Sequence, residues 1–380
     1  MHVVQALAAL SIGGSEFVAT ELTEALRHGG HRVTVLAAPG PLTERVEAAG
    51  ADTLPWPVNR KRLGTLRYIG RIRRWLGETR PDIVHVHSRL PALLVWRALA
   101  GMPAETRPAL VTTMHGHYSV SRYSGLMARG DAVIAVSHAI RQYTLHNYPV
   151  APERVHVIHG GADPEAFPFG YRPDEAWFER TYAEHPELRD RRWLCLPGRL
   201  SRYKGHETFI NLLARLLPEY PALQAIVVGA GRPGSRYYDE LIGLAQAGGV
   251  REHLTFTGES MDIREWMAAS ELVYSLCSDP PEAFGRTVLE ALYLGRPVVG
   301  WNHGGVAEIL AECYPFGAVP PDNADALEAQ TRAFLRRGAP KVERTEAFRL
   351  EDSMAATLSL YETVLTGRTE EHQNTPGVDP

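Results

Sequence analysis

Short apolar runs alternate along most of the chain with stretches whose apolar residues recur every three or four positions. This is the pattern of an α/β protein with mainly parallel strands. HVVQALAAL is predicted as a buried strand and Ile12-Gly13-Gly14 as a turn. The helix that follows aligns Val18, Leu22 and Leu26, with Ser15 placed to cap it and Gly29-Gly30 placed to end it. RVTVLAA is the next strand, followed by DIVHVHS, LVTTMHG, AVIAVS and VHVIHGG. Together these define a first domain over residues 1–165.

Over residues 166–190 prolines, aromatics and charges crowd together, and the segment is predicted as a connection between domains. A second series, WLCLPGRL, ALQAIVVGAG, LTFTGE, ELVYSLC and RPVVGWN, defines a second domain over residues 191–350. One more helix is expected at 351–366, around Met354, Leu358, Tyr361 and Leu365. The polar residues 367–380 are expected to be a disordered tail.

The length of 380 residues independently demands more than one core, since single cores stop growing near about 250–300 residues. The net charge of -4 excludes a nucleic-acid binder by bulk charge. The charge is uneven, however: residues 1–170 carry 18 Lys and Arg against 13 Asp and Glu, leaving 22 against 31 for the rest. Only the first half is therefore suited to an anionic partner. Three cysteines, Cys195, Cys277 and Cys313, form no CxxC pair and point to a reducing compartment. The opening MHVVQALAALSIGGSE has neither a basic leader nor a small-residue cleavage site, so a cytoplasmic location is expected.

Candidate chemistry concentrates in five places. In PPEAFGRTVLEALYLGRPVVG, Glu282 and Glu290 are separated by seven residues. A helix starting near Gly285 would present the N–H groups of Gly285, Arg286 and Thr287 to an anion such as a diphosphate. Glu282 would then accept from sugar hydroxyls and Glu290 from a ribose; alternatively both are solvated acids at a helix start. In PGRLSRYKGHETFI, Arg199 and Lys204 lie between a strand end and a helix start, where cations stabilise a departing diphosphate, or else form a solvated basic turn. Gly13-Gly14-Ser15-Glu16 lacks the full dinucleotide fingerprint, which disfavours an NAD-dependent oxidoreductase; it is either a site of close ligand approach or a tight turn.

His85 and His87 share a strand face, and His115 and His117 follow another strand. Without carboxylate partners or cysteine spacing they read as satisfied strand-end histidines rather than metal ligands, with sugar binding by His115 the intermediate reading. The lack of any Asp-x-Asp motif also disfavours a metal-held nucleotide. Finally, Arg60, Lys61, Arg62, Arg67, Arg71, Arg73 and Arg74 crowd around Tyr68, Ile69, Ile72, Trp75 and Leu76. This segment is either an amphipathic helix on an anionic membrane or a packed helix with a solvated basic side.

Taken together, these motifs resemble the retaining glycosyltransferases of family 4, with Glu282-x7-Glu290 and Gly198-Arg199…Lys204-Gly205 the most specific. Thr113-Met114-His115-Gly116, VIHGGADPEAF and GRPVVGWNHGGVAEIL extend the resemblance to about residue 366; many relatives have VIPNGVD where this chain has VIHGGAD. The resemblance implies a GT-B fold, two facing Rossmann-like domains with a cleft between them and a last helix crossing back to the first domain. It implies that Arg199 and Lys204 hold the diphosphate of a nucleotide-sugar donor such as a UDP-sugar. Glu282 would bind the sugar, with backbone groups from Phe284 and Gly285, and Glu290 would bind the ribose. Gly14 would lie near the phosphates, and His115 would contact the sugar. It further implies metal-independent transfer of a hexose-type sugar to a saccharide or lipid-linked acceptor in cell-surface polysaccharide or lipopolysaccharide biosynthesis; the basic segment Arg60–Arg74 adds the expectation of a place at the inner face of the cytoplasmic membrane. No cofactor and no nucleic acid are expected. The alternatives are a sugar-nucleotide epimerase on the same fold and a non-catalytic nucleotide-sugar-binding partner of another transferase.

Overall fold

The computed structural model describes residues 1–373. The chain divides into two compact units, one formed by Met1–Gly160 with the residues from Glu351 onward, the other by Gly161–Leu350.

The first unit is built on seven parallel strands: β1 (His2–Ala9), β2 (Arg32–Ala38), β3 (Asp52–Leu54), β4 (Ile83–Val86), β5 (Ala109–Met114), β6 (Ala132–Ala135) and β7 (Val155–Val157). Their order is β3-β2-β1-β4-β5-β6-β7. The strands read as continuous apolar runs because helices cover both faces of a parallel sheet. Val3, Val33, Ile83, Val111 and Val133 are all inaccessible or nearly so. The first helix, Gly14–His28, is capped by Gly13 rather than by Ser15, whose hydroxyl donates instead to Glu16.

The second unit repeats the plan with β8 (Arg192–Pro197), β9 (Leu223–Val228), β10 (Leu254–Gly258), β11 (Leu272–Ser275), β12 (Val298–Trp301) and β13 (Ala318–Val319). The order is β10-β9-β8-β11-β12-β13, again all parallel. Each sheet reverses its winding once, between β1 and β4 in the first and between β8 and β11 in the second. Loops leaving the carboxyl ends of strands flanking such a reversal splay apart and leave a crevice for ligands.

Two boundaries differ from expectation. Residues 166–190 are not a free connection, because they belong to the second unit. They contain a helix, Glu175–Glu184, capped by Asp174 through a 2.7 Å bond from the Trp177 N–H. Trp177 is buried there with its ring against Trp193 and Trp266, a burial that anchors the helix to the sheet. The last helix runs Leu350–Gln373, so residues 367–373, expected in a tail, are helical; the rest of that expected tail, 374–380, lies outside the described residues. This helix docks in the first unit through Tyr361, fully buried with its hydroxyl 2.6 Å from His85 Nδ1, and through Arg368, which donates to Asp131 and to the Arg107 carbonyl. No described helix is long and apolar enough to cross a membrane.

Candidate active site

In the second unit the two most specific motifs arrive at the same place, the winding reversal between β8 and β11. β8 ends at Pro197, and the chain turns through Gly198-Arg199 into a short 3-10 turn, Arg202–Lys204. Gly205 then enters the helix His206–Leu216 with φ +80°. A Cβ on Gly205 would lie 2.3 Å from the Leu276 carbonyl oxygen, so only glycine lets this loop pack against the chain leaving β11. That chain carries Cys277 and then Glu282, and Glu282 forms an ion pair with Lys204 across the gap. Both side chains remain partly exposed, at 27% and 21%, which leaves their outer atoms open to a ligand.

A small pocket is lined by Pro197, Lys204, Ser275, Cys277, Glu282 and Thr287, among others. Burial opposes the charge on Lys204, but the Glu282 carboxylate outweighs it and raises the lysine pKa above its ordinary value. The Cys277 thiol is pushed up to about 12, by burial first and then by Glu282, so it stays protonated and is a poor nucleophile. Arg199 lies on the same loop, its guanidinium 2.9 Å from the Tyr203 hydroxyl.

Gly285, at φ +102°, caps the helix Arg286–Tyr293, as the motif requires. A Cβ there would press to 2.9 Å on Val306. The first intrahelical bonds run from Val288 and Leu289 to the Gly285 carbonyl, so the Gly285 and Thr287 N–H groups stand ahead of the ladder. One turn on, Glu290 is buried and holds Arg286 at 2.6 Å. This corrects the picture of two solvated acids, since Glu290 faces inward. Phe284 is buried with its ring against Phe348, which leaves its backbone, not its side chain, as the part suited to a polar ligand.

The support beneath Glu282 comes from residues whose roles the motif reading did not assign. Gly305 N–H donates to the Glu282 carbonyl at 2.9 Å, and His303 Nε2 lies 2.7 Å from the Cys277 carbonyl. Gly304 has φ +59°, and a Cβ on it would sit 2.5 Å from that same Glu282 carbonyl. The visible signal was the His-Gly-Gly run after β12, where a helix start with two glycines implies close backbone approach.

In the first unit, Gly14 opens the helix after β1 and His115 lies on the loop after β5. A Cβ on Gly14 would meet nothing within 4 Å, so this glycine is not demanded by packing. His115 is half-buried with Nε2 3.1 Å from His87 Nδ1, and burial brings its pKa down to about 4. His85 and His87 do share a face, with rings 4.1 Å apart. They are satisfied by side chains: His85 by Tyr361 and Thr113, both at 2.6 Å, and His87 by Gln5 at 2.9 Å. Burial first, and then the neighbouring histidines, holds His87 well below the usual range.

The basic segment is only partly a free surface. Tyr68, Ile72 and Leu76 of the helix Tyr68–Thr79 are buried in the unit's own core. Arg73 turns inward to the Ala98 carbonyl at 3.2 Å, and Arg71 lies over the Trp56 ring. The apolar face of this helix is therefore unavailable to lipid. Leu63 and Leu66, at 89% and 44% exposure, project instead from the preceding 3-10 turn beside Arg60, Lys61, Arg62 and Arg67.

Two doubly wound parallel units, each reversing its winding once, give the chain the GT-B fold. Two family models match in tandem, Glycosyltransferase Family 4 over residues 12–166 and Glycosyl transferases group 1 over residues 178–349. The chain belongs to the family 4 type of glycosyltransferases. It is 26% identical over 375 residues to a phosphatidyl-myo-inositol mannosyltransferase of Mycolicibacterium smegmatis, covering 93% of this chain and 90% of that one. It is 30% identical over 188 residues to a lipopolysaccharide core biosynthesis mannosyltransferase of Rhizobium meliloti, covering 49% of each. Among solved structures, a glycosyltransferase from Rickettsia africae superposes with a TM-score of 0.80 at 22% identity, covering 96% of this chain and 98% of that one.

Proposed function

We propose that this glycosyltransferase moves a hexose-type sugar from a nucleoside-diphosphate donor to a saccharide or lipid-linked acceptor, with retention and without a metal. The observation that carries this reading is the convergence of Lys204, Glu282 and Thr287 on one pocket at the β8/β11 reversal. There Lys204 and Arg199 hold the diphosphate together with the N–H groups of Gly285 and Thr287, and fixed cations lower the barrier as charge grows on the leaving group. Glu282 accepts from sugar hydroxyls and Glu290 from the ribose. The bond from the anomeric carbon to the diphosphate breaks with its electron pair leaving on phosphate. The acceptor oxygen bonds to that carbon on the same face, and the acceptor proton passes to the departing phosphate. The protonated Cys277 is no alternative nucleophile.

The test is a panel of nucleotide sugars incubated with phosphorylated and lipid-linked saccharides in EDTA, with the product anomer read by NMR. Transfer with retained configuration is expected. Inversion or an absolute metal requirement would overturn the mechanism, and binding with neither transfer nor donor hydrolysis would favour a non-catalytic binder.

A membrane-proximal acceptor, within cell-surface polysaccharide or lipopolysaccharide assembly, is favoured by Leu63 and Leu66 standing exposed among four cations. Each cation near an anionic bilayer contributes about 1 kcal/mol, and two leucines add apolar insertion. Wild type is expected to cosediment with vesicles containing anionic lipid at low salt and to be released at high salt. A Leu63→Glu/Leu66→Glu/Arg62→Glu variant should stay in solution. Equal sedimentation of both proteins would return the segment to a solvated turn.

A further inference from the structure

The first unit contains a polar chain that starts on Gln5 in β1 and ends on His115. Gln5, in the middle of β1, is inaccessible. Its Nε2 donates to the Ala19 carbonyl at 2.9 Å and to the Thr23 hydroxyl at 2.6 Å. Thr23 in turn donates to that carbonyl at 2.8 Å. A carbonyl only accepts, so the amide orientation of Gln5 is settled and Oε1 must face His87. His87 Nε2 lies 2.9 Å from that oxygen and therefore carries the ring proton. A neutral imidazole has one proton, so His87 Nδ1 is an acceptor. The group opposite it, 3.1 Å away, is His115 Nε2, which must then be the donor. His115, itself neutral, is left with an unprotonated Nδ1.

We infer that Gln5 and His87 are positioning residues that lock His115 in its Nε2–H tautomer, so that it meets a ligand as a hydrogen-bond acceptor. A bound sugar must then offer His115 a hydroxyl proton, and a fluorine or keto group at that position is refused. The burial of Gln5 and His87 and the half-burial of His115 support this, since desolvation keeps both imidazoles uncharged at neutral pH. A site built to accept a hydroxyl proton rejects an analogue lacking it strongly, because its own polar atom is left unpaired. The consequence for the sugar rests on the reading of His115 as a sugar contact; the tautomer does not.

Two measurements separate them. Long-range ¹H–¹⁵N spectra of the free, full-length protein should show His115 with a protonated Nε2 and a bare Nδ1. The same spectra of His87→Leu should show exchange between the two tautomers, and His87→Gln, which can again donate to Gln5 and accept from His115, should restore the single form. A protonated Nδ1 in wild type, or an unchanged spectrum in His87→Leu, overturns the relay whatever the enzyme does. Kinetics then test the sugar contact: His87→Leu should raise the donor KM or lower kcat at least tenfold, with His87→Gln recovering most of it. A tautomer locked in wild type and released in His87→Leu, with unaltered kinetics in that variant, would leave the relay standing but remove His115 from sugar recognition.

Discussion

Replacing Glu282 or Lys204 by alanine is expected to lower turnover about a hundredfold without unfolding the protein. Each side chain lies on a loop at a strand end and is partly exposed, so truncation opens no core cavity. Losing a polar contact to charge that develops in the transition state costs about 3 kcal/mol, or two orders of magnitude in rate. The two changes differ in how they respond to pH. In the wild type Glu282 holds the Lys204 pKa above the ordinary value, so the lysine stays charged well into the alkaline range. A folded-state pKa raised in this way stabilises the protein below the unfolded value, and that stability is lost as pH rises through the folded one. In Glu282→Ala the main influence raising the Lys204 pKa is gone, and burial, which favours the neutral amine, weighs more heavily against the charge. The alkaline limb of kcat/KM should therefore move to lower pH in Glu282→Ala and vanish in Lys204→Ala. Rates within threefold of wild type for both variants would remove the pair from the reaction.

The order of the larger elements was legible because a parallel strand buried on both faces is a continuous apolar run: RVTVLAA coincides with β2 residue for residue. β3 and β13 went unread, being edge strands of three and two residues, too short to carry a period. The helix Glu175–Glu184 was hidden by the prolines and charges around it, although Trp177 and Thr181, four residues apart, mark its buried face. The paired motifs around Lys204 and Glu282 were visible as local strings. Their meeting across 78 residues was not, because it depends on β8 and β11 being neighbours in the sheet, which no local pattern encodes. The same holds for the histidines. Period two put His85 and His87 on one face, but their partners Tyr361 and Gln5 lie 276 and 82 residues away. Without those partners the tautomers, and hence the polarity offered by His115, could not be deduced.

Gly205→Val is expected to destabilise the second unit by about 2–5 kcal/mol. Two costs combine. The backbone at φ +80° is left-handed, which costs an ordinary L-residue about 1–2 kcal/mol, and a β-branched residue tolerates it worst. The new Cβ also lands 2.3 Å from the Leu276 carbonyl oxygen and 2.5 Å from Leu276 Cβ. The carbonyl is backbone and cannot swing aside, so the loop must separate from the chain leaving β11 or strain both, at about 1–3 kcal/mol as for an overpacked core. A domain of this size loses about 2–4 °C of melting temperature per kcal/mol, so a drop of roughly 4–20 °C should be seen by calorimetry. Gly14→Val is the matched control. Gly14 has no positive φ, and a Cβ there meets open space, so its melting temperature should stay within about 2 °C of wild type. If that space admits a ligand, the same variant should still lose at least about tenfold in kcat/KM, or 1.4 kcal/mol of transition-state stabilisation. One glycine then serves packing and the other serves the ligand. A stable Gly205→Val protein would show that the Lys204 loop is not held by this contact, and a fully active Gly14→Val protein would show that the β1 loop is not where a ligand approaches.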